Sequence, residues 1–113
     1  MITAMDERIF QQHAEQSMER LRRALYNIEE AAGFEVEERG GALYLTFDEP
    51  PGTFVIAPNS PARQIWISAL STSFKLDWSD SYTDFVLGTG GEPLLPLVAR
   101  LLTQQTGNAV ALD

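Results

Sequence analysis

The chain has 113 residues, 16 acidic side chains against 8 basic ones and a formal charge of −8, with 44% hydrophobic and 21% charged residues. That length and apolar content suit one domain around one core and exclude a disordered chain. Cysteine is absent, which removes disulfides, thiol nucleophiles and thiolate metal sites of its own, while the acidic balance disfavours nucleic acid and anionic membranes and favours basic protein surfaces or hard cations.

Residues from Asp6 to Ala32 carry the longest helical pattern. Phe10, Ala14, Met18, Leu21, Leu25, Ile28 and Ala32 recur at steps of three or four and form one apolar stripe. Thr3 or Asp6 suits the N-cap, and Gly33 is the expected stop. The opening MITAMDERIF has neither the basic start and apolar stretch of a secretory signal nor an Arg-rich transit pattern. No apolar run approaches the roughly 20 residues of a membrane span, so the expected location is cytoplasmic.

After Gly33 the period changes from 3.6 to 2. Phe34, Val36 and Glu38 face one way and Glu35, Glu37 and Arg39 the other, with Gly40-Gly41 as a two-residue hairpin turn. Leu43, Leu45 and Phe47 mark a second strand, and Asp48-Glu49-Pro50-Pro51-Gly52 a turn before a third at Thr53 to Ala57. Pro58-Asn59-Ser60-Pro61 is expected to break that strand. Further strands follow at Gln64 to Ser68, Ser73 to Trp78 and Asp84 to Leu87. Gly88-Thr89-Gly90-Gly91 is expected to end the sheet, and a second helix to span Glu92 to Thr106, with Pro93 in its first turn and Gly107 as its stop. The apolar tail Ala109 to Leu112 should pack back onto the domain. Short turns between consecutive strands imply an antiparallel meander, and two amphipathic helices belong on one of its faces. The fold class is therefore α+β, a two-layer sandwich of the form α-β(5–6)-α over residues 1–113.

On this order of elements, residues 54–66, FVIAPNSPARQIW, continued by ISALSTSFKLDW, resemble the strand-turn-strand signature of the frataxin family. GEPLLPLVARLLTQQTG is similar to the closing helix of bacterial, CyaY-like members, and Met5 to Ile28 fits the family's first helix. The resemblance implies a non-enzymatic monomer acting in iron–sulfur cluster assembly. Such a protein docks onto the cysteine desulfurase and scaffold complex, modulates sulfur transfer and holds Fe²⁺ or Fe³⁺ weakly on surface carboxylates. The competing expectation is a ferroxidase that stores ferric iron on the same carboxylates.

For iron, the candidate ligands are Glu15, Glu19, Glu29, Glu30, Glu35, Glu37 and Glu38, read as an open patch of hard oxygen ligands. Arg20, Arg22 and Arg23 stand where the family's acidic ridge usually continues, and should weaken cation binding; Glu19 is spaced to pair with Arg22 or Arg23. For the partner, the candidates are Asn59, Gln64, Trp66 and Lys75. Ile65 and Ile67 share one face of their strand, so Trp66 shares the other with Gln64 and Ser68, on the side open to water. Trp78 is expected to pack at the sheet edge, and His13, the only histidine, to be structural or solvated. One histidine and no cysteine assemble no nucleophile–base set, and the Gly88 loop lacks a phosphate-binding Lys.

Overall fold

The computed structural model describes residues 5–88 and 90–113. Helix α1, Glu7–Ala32, starts where the Asp6 carboxylate accepts the Ile9 N–H at 2.8 Å, and Glu7 adds negative charge to its first turn. The alternative cap, Thr3, lies outside the described residues. The helix stops at Gly33, whose φ of 79° turns the chain away while its N–H closes on the Glu29 carbonyl. Phe10, Ala14, Leu21 and Leu25 of the expected stripe are buried, joined by Ser17 and Ala24.

The strands are β1 Phe34–Arg39, β2 Ala42–Asp48, β3 Pro51–Asn59, β4 Gln64–Ala69, β5 Thr72–Ser79, β6 Asp84–Leu87 and β7 Glu92–Pro93. They pair antiparallel in sequence order, from β1 to β7. Gly40 and Gly41 both take positive φ, 59° and 84°, as the β1–β2 hairpin requires.

Three expectations about this sheet are corrected. β3 continues through Pro58 to Asn59; β2 pairs with it only as far as Ile56, so on that side the amide missing from Pro58 faces no strand. The glycine segment does not end the sheet: Gly91 N–H bonds the Gly88 carbonyl at 3.2 Å and turns the chain into β7, giving seven strands among the described residues. Helix α2 consequently starts later, at Leu94, and runs to Thr106 with Pro93 as its N-cap. Pro96 then falls at the third helical position, where no intrahelical acceptor awaits an amide.

Both helices cover one face of the sheet. Leu45, Phe54, Ile56, Ile65, Ile67, Leu76 and Phe85 meet Phe10, Leu21, Leu25, Leu94, Leu97, Val98 and Leu102, all at 1% exposure or less. Each such side chain contributes about 1.5–3 kcal/mol of transfer free energy. Phe10 stands edge-on to Phe85 at 5.9 Å between centroids, and Phe47 tilts against Phe54 at 4.8 Å. Trp78 is not at the sheet edge. Its strand lies between β4 and β6, and its indole sits under α1, stacked on His13 at 3.7 Å with 13° between the planes and edge-on to Phe85. The tail folds back as expected: Val110 N–H donates to Thr103 Oγ1 at 3.0 Å, and Val110 and Leu112 rest against the core. No described helix is long and apolar enough to cross a membrane.

Candidate functional site

Among the described residues no helix lies on the second face of the sheet, and its register decides what it presents. Ile65 and Ile67 are 0% and 1% exposed, whereas Trp66 between them is 39% exposed. Trp66 stands opposite Ala57 on β3 and Lys75 on β5, and Gln64 stands opposite Asn59 and Asp77. These residues therefore share the open face.

The side chains form a connected chain across β4 and β5. Lys75 Nζ lies 4.8 Å from the centroid of the Trp66 ring. Trp66 Nε1 donates to Gln64 Oε1 at 2.8 Å, and Gln64 Nε2 donates to Asp77 Oδ1 at 2.9 Å. Three of the four expected partner residues, Gln64, Trp66 and Lys75, are thus brought together. Asn59 lies on the same face, but its Oδ1 accepts the Ala62 N–H at 2.9 Å and serves the β3–β4 turn. Beside the indole, Val55, Ala57, Ser68 and Ser73 leave a shallow hollow. Across β3 a second cation–aromatic pair stands on β1 and β2, with Arg39 4.2 Å from the Tyr44 ring centroid. Sequence reasoning missed Tyr44, Arg39 and Asp77 as members of this face. Alternation marks their side, but only the strand register sets Asp77 beside Gln64 and the Arg39–Tyr44 pair across β3 from Trp66.

The carboxylates do not form the single open patch expected of them. Alternation puts Glu35 and Glu37 on the open face and turns Glu38 to the helical side. Glu37 is 3.3 Å from Arg39 Nε. Glu29 accepts the backbone N–H of Val36 at 2.9 Å, and Glu30 is exposed on the last turns of α1. Glu15, Glu19 and Glu38 line one cleft of about 610 Å³ between α1 and the β1–β2 hairpin, with Phe10, Met18 and Leu43 also in its wall. Glu19 there accepts from Arg22 Nε at 3.0 Å and is 3.4 Å from Arg23. The hydrogen bond from Arg22, with its charge, holds the Glu19 carboxyl below its ordinary range. Arg20 is turned aside to Asp84, at 3.2 Å. Among the described residues no three His, Asp or Glu side chains converge as a metal site.

The Frataxin-like domain family matches residues 3–108 of this sequence. Over 80 residues the chain is 31% identical to the "Iron-sulfur cluster assembly protein CyaY" of Stutzerimonas stutzeri, covering 70% of this chain and 71% of that one. It is 27% identical over 73 residues to the protein of the same name from Azotobacter vinelandii, covering 65% and 66%. Among solved structures, the frataxin of Psychromonas ingrahamii superposes with a TM-score of 0.78 at 20% identity, over 95% of this chain and 97% of that one. Yeast frataxin superposes with a TM-score of 0.70, also at 20% identity, over 95% and 98%. The fold is thus the frataxin fold, two helices on one antiparallel sheet. The chain belongs to the frataxin-like family, on the bacterial, CyaY-like side.

Proposed function

We propose that this chain is an accessory protein of iron–sulfur cluster assembly that docks through its open sheet face onto a cysteine desulfurase–scaffold complex and modulates sulfur transfer. Support comes from the curated relatives, which carry iron–sulfur cluster assembly in their names. The observation that carries the docking surface is Trp66, held facing solvent by Gln64 and Lys75 above a fully buried pair of isoleucines. Partly exposed aromatics set in a polar rim are the usual anchors of protein interfaces. Iron enters this reading as loosely held cargo on Glu15, Glu30, Glu35 and Glu38, because Glu19 is committed to two arginines and Glu29 to the backbone.

Calorimetric titration of the chain onto a desulfurase–scaffold complex tests the reading. Trp66→Ala should weaken binding by about 2 kcal/mol or more, roughly 30-fold. Equal affinity of the variant and the wild-type chain would reject the docking face.

A further inference from the structure

Among the described residues β1 is the outermost strand of the sheet, paired with β2 on one side only. The two-residue turn at Gly40-Gly41 makes Arg39 and Ala42 a hydrogen-bonded pair, so along β1 the bonded pairs are Arg39, Glu37 and Glu35. The N–H and C=O groups of Phe34, Val36 and Glu38 consequently point away from β2, along the free edge. One of them is already engaged: the Val36 N–H donates to Glu29 Oε2 at 2.9 Å, from the last turn of α1.

Two features keep this edge from joining its own kind. A second β1 would bring Glu35, Glu37 and Glu38 against the same residues, and like charges on neighbouring strands repel. The Glu29 carboxylate occupies the N–H at the middle of the strand. A strand rich in Lys or Arg relieves the first, because it neutralises the glutamates beside it, and its own carbonyl takes the Val36 N–H that Glu29 now holds. Side chains alternate along such a strand. Positions beside Glu35 and Glu37 lie on the open face and call for basic residues, while the position beside Val36 lies on the helical side, where Val36 is half-buried and packs against the core.

The geometry points to the β1 edge as a strand-addition site for an extended basic segment of a partner protein, alternating basic and apolar residues, with Glu29 as its displaceable latch. This site is separate from the Trp66 face, since it uses the backbone at the sheet margin and none of the side chains on β4 or β5.

The test uses the full chain and an acetylated, amidated heptapeptide alternating lysine and valine. It should bind, and amide exchange read residue by residue should slow at Phe34, Val36 and Glu38. The same peptide with N-methylated valines keeps its charge but lacks the valine amides that would pair with the edge, and should lose at least about tenfold in affinity. Glu29→Ala, with its fold checked by circular dichroism, should tighten binding, and Glu35→Lys with Glu37→Lys should weaken it by about tenfold or more. Trp66→Ala should leave this binding unchanged, which keeps the result apart from that of the docking face. Equal affinity for the methylated peptide, or binding without protection at those three amides, would overturn the proposal. So would a dimer of the chain alone that protects the same amides.

Discussion

Lys75 lays its ammonium over the face of Trp66 from the neighbouring strand, 4.8 Å from the ring centroid, on the side of the sheet that no described helix covers. An exposed pair of this kind contributes about 0.5–1 kcal/mol. Removing the indole therefore leaves the core intact, and Trp66→Ala should shift the urea midpoint by no more than about 1 kcal/mol equivalent. Phe54→Ala, which empties a site 1% exposed among Phe47 and its neighbours, should cost about 3–5 kcal/mol. Equilibrium unfolding of the two variants side by side checks the contrast, and comparable losses would mean that Trp66 is a core residue.

The β4–β5 hairpin closes with Leu70 and Ser71, both at positive φ, 54° and 59°, and neither is glycine. An L-residue held in the left-handed region costs about 1–2 kcal/mol; glycine removes that strain, and its freer unfolded chain offsets part of the gain. Ser71→Gly is expected to stabilise the protein by about 0.5–1 kcal/mol, seen as a higher melting temperature.

Arg100 on α2 holds Glu92 on β7 with two parallel bonds, 2.8 and 2.9 Å. The hydrogen bond from Arg100 and its charge lower the Glu92 pKa. A carboxyl whose pKa falls on folding adds stability above its unfolded pKa and loses it as pH drops through the folded value. Glu92→Gln should thus cost about 0.5 kcal/mol at pH 7, a magnitude limited by solvent screening. The gap between variant and wild type should close as pH falls below about 4. Chemical denaturation at pH 7 and pH 3 measures both ends.

Removal of residues 110–113 takes away Val110 and Leu112, both half-buried against the core, and the bond from Val110 to Thr103. A loss of about 1–3 kcal/mol is expected from apolar surface re-exposed beside α1 and α2. Thermal unfolding of the shortened chain checks it.

Alternation and helical period carried most of this architecture. The exposure of Trp66 follows from its two isoleucine neighbours, and the α1 stripe from seven spaced residues. What escaped depends on register between segments. β7 is two residues behind a glycine turn, too short to show any period, and exists only because Pro93 lies beside Val86. Trp78 looked marginal because its place inside the sheet depends on β6 pairing beyond it. The acidic run reads as one patch in sequence although alternation already sets Glu37 and Glu38 on opposite faces, and nothing in the spacing shows that Glu29 finds a backbone amide seven residues away. Ion pairing of Glu19 was legible, since three- and four-residue spacing on a helix brings side chains together.

Because each strand pairs only with the next, every ladder in the sheet closes over a short stretch of chain. Loop closure of that size is entropically cheap, and proteins dominated by such near-neighbour contacts reach their native state quickly. The distant event is the meeting of α1 with α2 from opposite ends of the sequence. Substitutions where the two helices touch should therefore act on the rate-limiting step more than substitutions in any single hairpin.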